Sequence, residues 1–195
     1  MLVTRPFWID GGRIETNLLR GVLKLTNPGD YVLDCKGETI FRQRCFRPVT
    51  ESIMLERLMR GLVRDNAAER CVETGTCVAV MKGRMPIRAR QFIWENYIPV
   101  GDDLRVAGRL LQRSSADSTR LEFEVAIPAA YKIIAPDAPV TGTLDGIPYD
   151  GARFLAPGKH AFVETSPPAT LLLLWAQAVD RNFVPLKFAR ASAKE

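Results

Sequence analysis

Histidine is almost absent from this 195-residue chain, where His160 is the only one. No two of its four cysteines, Cys35, Cys45, Cys71 and Cys77, have the CxxC spacing of a zinc site or a thioredoxin-like motif. A metal centre is not expected, and neither is a cofactor. There is no GxSxG elbow, and one histidine in a distant segment leaves Ser-His-Asp and Cys-His arrangements without support. No GxGxxG follows a strand and no GxxxxGK[ST] occurs, which excludes those routes to nucleotide binding. The longest mostly apolar stretch, 169–179, is interrupted by Thr170 and Gln177. It falls well short of the ~20 residues of a membrane span. The opening residues hold no long apolar run of the secretory type, which predicts the cytoplasm for a complete, unattached chain. No internal repeat is found, so a solenoid is excluded.

What is present is ordinary globular composition, 47% hydrophobic and 25% charged. The net charge of +5 is unevenly spread. Residues 1–100 carry 16 Lys and Arg against 11 Asp and Glu, and the remainder carries 11 of each. Thirteen of the 16 basic residues in the first half are Arg. Arginine suits bidentate pairing with carboxylate and phosphate. An anionic partner and a simply solvated basic face both fit this balance. The cysteines read as buried thiols or as disulfides, according to compartment.

Apolar positions in 14–25 have helical spacing, and Asn27-Pro28-Gly29-Asp30 breaks the run. Tyr31-Val32-Leu33, ending at Asp34-Cys35, reads as a buried strand. Residues 39–42 read as a short strand or a loop. Thr50 or Ser52 is placed to cap a helix through Met54, Leu58 and Leu62, and Asp65 to cap a short one through Arg70. Residues 76–81 read as a second buried strand, and 86–97 as a helix with proline at its start. This alternation predicts a three-layer α/β unit. The pattern changes near residue 100. Leu104, Val106, Gly108 and Leu110 alternate with Arg105, Ala107 and Arg109, and 121–127 alternates likewise. Asp145-Gly146 marks a tight hairpin. Residues 171–175 read as the last strand, followed by a short helix over 177–181, with a frayed tail at 189–195. The fold class expected is mixed α+β: an α/β domain over 1–100, then an all-β, sandwich-like module over 101–195.

The densest polar cluster is Asp34, Lys36 and Glu38, followed by Arg42, Arg44 and Arg47. Ligands of open α/β sheets gather outside the carboxyl ends of strands, which is where Asp34 and Glu38 fall. The arginines are candidates for phosphate contact or for pairing with those carboxylates. No catalytic residue is assigned. Trp8, Trp94 and Trp175 read as core or interface residues. The basic residues are scattered over helices and loops, not interleaved with aromatics on one face, so nucleic acid is not an expected partner.

Residues 25–42, Leu-Thr-Asn-Pro-Gly-Asp-Tyr-Val-Leu-Asp-Cys-Lys-Gly-Glu-Thr-Ile-Phe-Arg, resemble the region after the last membrane helices of bacterial glycosyltransferases. These multi-spanning enzymes use polyprenyl-phosphate sugars and are related to the protein mannosyltransferases of family 39. Arg47-Pro48, the 51–63 helix and Thr74-Gly75-Thr76-Cys77-Val78-Ala79-Val80 continue the likeness. Residues 142–149 and 155–160 resemble small β modules found beside bacterial membranes. The catalytic acidic residue of the family lies in a loop among membrane helices, and no position here matches it. The resemblance implies a non-catalytic accessory module on the extracytoplasmic face of the cytoplasmic membrane. Its partners would be the membrane part of the enzyme, an acceptor, the lipid-linked sugar phosphate or an anionic headgroup. Two alternatives are a stand-alone α/β enzyme with its site at Asp34–Glu38 and a protein–protein interaction module.

Overall fold

Leu18, Val22 and Leu25 share one face of the first helix, α1 (Gly11–Leu25), and all three are buried. The computed structural model of the chain describes residues 11–83, 85–112, 119–136, 139–165, 170–183 and 185. Trp8 and the 189–195 tail lie outside the described residues. Four more helices follow: α2 (Ser52–Met59), α3 (Ala67–Glu73), α4 (Ile87–Asn96) and α5 (Ala176–Asp180). The strands are β1 (Tyr31–Asp34), β2 (Gln43–Arg44), β3 (Val78–Val80), β4 (Tyr97–Pro99), β5 (Leu104–Leu111), β6 (Arg120–Val125), β7 (Ala129–Ile134), β8 (Gly142–Leu144), β9 (Ile147–Pro148), β10 (Arg153–Leu155), β11 (Gly158–Glu164) and β12 (Leu171–Trp175). The fold is mixed α+β.

The larger sheet runs β10-β7-β12-β5-β3-β1-β2, with β4 also paired to β5. Its β1, β2 and β3 are parallel, in the registers Tyr31↔Gln43 and Val32↔Val78. The connection from β2 to β3 carries α2 and α3, as a crossover between parallel strands requires. β5 joins this block antiparallel, pairing Val106 with Val78, and pairs Leu111 with Leu171 of β12 at its other end. The sheet is thus continuous across residues 100 and 101. A smaller antiparallel sheet runs β6-β11-β8-β9. Its β8–β9 turn is the expected Asp145-Gly146 hairpin, with both residues at positive φ (53° and 79°), as the primed turn demands. Arg153 on β10 bridges the two sheets, donating to the carbonyls of Leu144 at 2.9 Å and Pro148 at 2.7 Å.

Several local expectations need correction. Neither Thr50 nor Ser52 caps α2: Glu51 holds the N-cap position, and the Thr50 hydroxyl donates to the Cys35 carbonyl at 2.9 Å. Asn66, not Asp65, precedes α3, and its side chain makes no cap bond. Of the two readings of residues 39–42 the loop holds, and a short strand begins next to it at Gln43. Trp175 is buried, whereas Trp94 lies 60% exposed beneath the Arg105 guanidinium, 4.2 Å from its ring centre.

The last helix closes onto the first. Gln177 Nε2 donates to the Leu25 carbonyl at 2.8 Å and Arg181 Nη1 to the Lys24 carbonyl at 2.7 Å. The terminal carbonyls of α1 have no partner within the helix, and a cation there also suits the helix dipole.

Gly108 sits where β5 passes from one set of partners to the other. A Cβ there would overlap the Leu173 carbonyl oxygen of β12. Gly108→Ala is expected to destabilise the fold by about 1–3 kcal/mol, the usual cost of forcing an extra methyl into a packed site. Urea unfolding checks this, and an unchanged midpoint would contradict it.

Candidate functional site: an arginine cleft at the edge of the parallel strands

Asp34 ends β1 with its side chain buried, and its carboxylate is fully engaged. Oδ1 accepts the backbone N–H groups of Lys36 and Gly37, each at 2.9 Å. Oδ2 accepts the Thr39 N–H at 2.7 Å and the Thr39 hydroxyl at 2.9 Å. Gly37, at φ 82°, supplies the left-handed residue that this loop needs. Asp34 therefore folds the loop and has no free face for a substrate.

Lys36 and Glu38 project from the same loop and pair with each other. Lys82, just beyond β3, joins Glu38 at 3.3 Å and Glu15 of α1 at 3.2 Å. The hydrogen bond to Glu38 and its charge hold the Lys36 ammonium above the ordinary lysine range. Two lysines and two glutamates thus compensate one another over the carboxyl ends of β1 and β3.

The three candidate arginines separate. Arg42 turns back as a brace, with Nε donating to the Thr26 hydroxyl at 2.8 Å and Nη2 to the Thr26 carbonyl at 3.0 Å. Arg44 and Arg47 instead meet Arg70 of α3 around a cleft of about 390 Å³, with Tyr31 and Gln43 completing the wall. Arg70 is steadied by Glu73 at 2.7 Å and by the Cys45 carbonyl at 3.4 Å. Nη1 of Arg44 is buried with no hydrogen-bond partner. None of the five lining residues is acidic. Guanidinium groups around such an opening suit a tetrahedral oxyanion, whose oxygens accept several charge-assisted hydrogen bonds. The cleft opens beside β2, at the start of β1 and not at its carboxyl end. Of the cleft residues, Arg44 and Arg47 stand out in the sequence, whereas Arg70, Tyr31 and Gln43 do not. Arg70 lies 26 positions from Arg44, and only the β2–α3 packing joins them.

Two larger grooves lie elsewhere among the described residues. One, of about 720 Å³, crosses the smaller sheet and includes Asp145, Lys159 and His160. His160 Nδ1 meets Asp145 Oδ2 at 2.8 Å, and Nε2 meets the Ala156 carbonyl at 2.9 Å. A neutral imidazole can donate from only one nitrogen, so two acceptors favour the protonated ring. Burial alone would lower its pKa, but the bonds to Asp145 and Ala156 outweigh burial and raise it. Burial likewise opposes the Asp145 carboxylate, yet the bonds from His160 and the Ala161 N–H bring its pKa below the ordinary range. With neither nitrogen free, His160 is a strut and not a general base. The other groove, of about 750 Å³, is mainly apolar and lies beside Trp94, Ile98, Arg105 and Leu172.

No protein-family model, curated protein or solved structure matches the chain. Among the described residues, no helix is long and apolar enough to cross a membrane, and no group of three or more His, Cys, Asp or Glu is placed to hold a metal ion.

The His160 pair carries a pH signature. A raised histidine pKa contributes stability that is full below the unfolded value of about 6.5 and is lost as pH rises through the folded value. The depressed Asp145 contributes stability that is lost as pH falls through its folded value, which lies below the ordinary 3.8 of an aspartate. The stability difference between wild type and His160→Gln is therefore expected to shrink as pH rises from 6 toward 8. Thermal unfolding of both across that range checks it, and a pH-independent difference would contradict it.

Proposed function

We propose that this chain is a non-catalytic binding module that takes a phosphate-bearing ligand between Arg44, Arg47 and Arg70. One observation carries the reading: three arginines converge on one cleft whose lining includes no carboxylate. The acidic residues of the sequence cluster are committed elsewhere, Asp34 to its loop and Glu38 to lysines. These engagements argue against the alternative of an enzyme working through Asp34 and Glu38. The resemblance of residues 25–42 to the soluble regions of polyprenyl-phosphate-sugar glycosyltransferases gives the reading a setting. There the module would sit on the extracytoplasmic face of the membrane and hold the lipid-linked phosphate for its enzyme partner. The basic excess of residues 1–100 supports an anionic surface as neighbour.

A second reading has its own observation. Trp94 is 60% exposed beside the apolar groove, and Arg105 lies over its ring. An exposed tryptophan with an arginine is the composition of a protein-contact hot spot, which favours an interaction module.

Titration calorimetry at low salt with inorganic phosphate and pyrophosphate tests the first reading. Arg44→Ala and Arg47→Ala are each expected to weaken binding about tenfold or more, the value of one or two charge-assisted hydrogen bonds. Lys159→Ala, on the smaller sheet, is expected to leave affinity unchanged. Arg42→Ala is expected to lower stability by about 1–3 kcal/mol without changing affinity, because Arg42 braces Thr26. Sedimentation with phosphatidylglycerol vesicles separates a lipid headgroup from a free phosphate as the source. Failure to bind phosphate, pyrophosphate and anionic vesicles would overturn the reading.

A further inference from the structure

Two cysteines stand next to two arginines of the cleft. Cys45 follows Arg44 at the end of β2, and Cys71 follows Arg70 within α3. Both thiols are buried and free, and their sulfurs are 3.5 Å apart. Arg70 ties the same two elements together through its bond to the Cys45 carbonyl. Cys35 and Cys77 are also buried and free, but the sulfur–sulfur contact is between Cys45 and Cys71.

The two thiols titrate as a pair. The two sulfurs share one hydrogen bond, in which either S–H can be the donor and the other sulfur gains thiolate character. At Cys45 the bond to Cys71, the Thr76 hydroxyl and the Phe46 N–H favour the thiolate and burial opposes it. Burial pushes Cys35 up to about 12 and lifts Cys77 as well, so both stay protonated and unreactive. Either sulfur of this contacting pair can attack, with the other in place to resolve what it forms, and attack by Cys45 gives the same product as attack by Cys71.

We propose that Cys45 and Cys71 are an oxidisable dithiol whose disulfide ties β2 to α3 and so sets the spacing of Arg44 and Arg70 across the cleft. The oxidant is hydrogen peroxide, since burial of both sulfurs disfavours a bulky disulfide reagent. The Cys45 thiolate attacks one peroxide oxygen and the O–O bond breaks. Hydroxide leaves and takes up the proton released by Cys45, giving water and a sulfenic acid. The Cys71 sulfur then attacks the Cys45 sulfur. The S–O bond breaks, and the departing hydroxide takes the Cys71 proton as a second water. Two thiols and one peroxide become one disulfide and two waters, with each sulfur losing one electron to the peroxide oxygens. The sulfurs must close to about 2 Å, which draws the two arginine-bearing segments together.

The effect on the cleft rests on the phosphate reading, whereas formation of the bond does not. The full chain is treated with hydrogen peroxide, denatured, alkylated and mapped by peptide mass. The expected result is a fall from four alkylated cysteines to two, with a Cys45–Cys71 linked peptide that is two hydrogens lighter than its separate halves. Cys35→Ala and Cys77→Ala are expected to retain the linked peptide. Four alkylated cysteines, a different pairing, or oxidation stopping at a sulfinic acid would overturn the dithiol. Because the map is read on wild-type protein, it does not depend on whether Cys45→Ala or Cys71→Ala folds.

Pyrophosphate titration of the reduced and oxidised forms then reads the link to the cleft. A change in Kd of about fivefold or more is expected, the lower end of ordinary coupling between sites. Equal affinities would overturn the link while leaving the dithiol. No binding by either form would count against the phosphate reading alone, since the peptide map still decides the dithiol.

Discussion

The architecture hangs on β5. Its first residues pair with β3, its middle with β4, and its last four with β12. One strand thereby carries a small parallel block on one flank and an antiparallel arm on the other. Gly108 makes the passage feasible, since only a residue without a side chain admits the Leu173 carbonyl so closely. With β3 fixed by β5, β1 is fixed by β3, and β2 falls at the outer edge of the sheet. At two residues, β2 is too short to close that edge, and the arginine cleft opens beside it.

Charge is distributed according to the same plan. Over the carboxyl ends of β1 and β3, each cation has an anion: Lys36 and Lys82 meet Glu38 and Glu15. Beside β2, Arg70 has Glu73, and the rest of the lining contributes positive charge without a carboxylate. The first cluster is a neutralised one, with Lys36 and Glu15 at its exposed rim and Lys82 and Glu38 half-buried. The second is a concentration of positive potential, and its attraction for an oxyanion would fall as salt screens it. The basic excess of the first hundred residues gains meaning from its geometry, because three of its arginines gather at one cleft.

Much of the fold was legible in the sequence. Leu18, Val22 and Leu25 marked the buried face of α1, Asp145-Gly146 marked its hairpin, and the apolar runs at 31–34 and 171–175 became β1 and β12. Less was legible where side chains had local competitors. Thr50 looked like a helix cap, but the Cys35 carbonyl takes its hydroxyl. Arg42 looked like part of a phosphate-binding trio, but Thr26, remote in sequence, takes its guanidinium. Arg70 gave no signal, because its place in the cleft depends on how α3 packs against β2. Equally hidden was the sharing of one sheet by strands from both halves, since period-two patterning identifies strands without naming their partners.

The central claim is that Arg44, Arg47 and Arg70 act together on one anion. Arginine-selective ¹H–¹⁵N NMR during a pyrophosphate titration tests it most directly. The account predicts that the Nε–H signals of these three arginines shift together along one binding curve, while those of Arg42, Arg109 and Arg153 stay in place. Shifts spread evenly over all the arginines, or confined to ones outside the cleft, would contradict it.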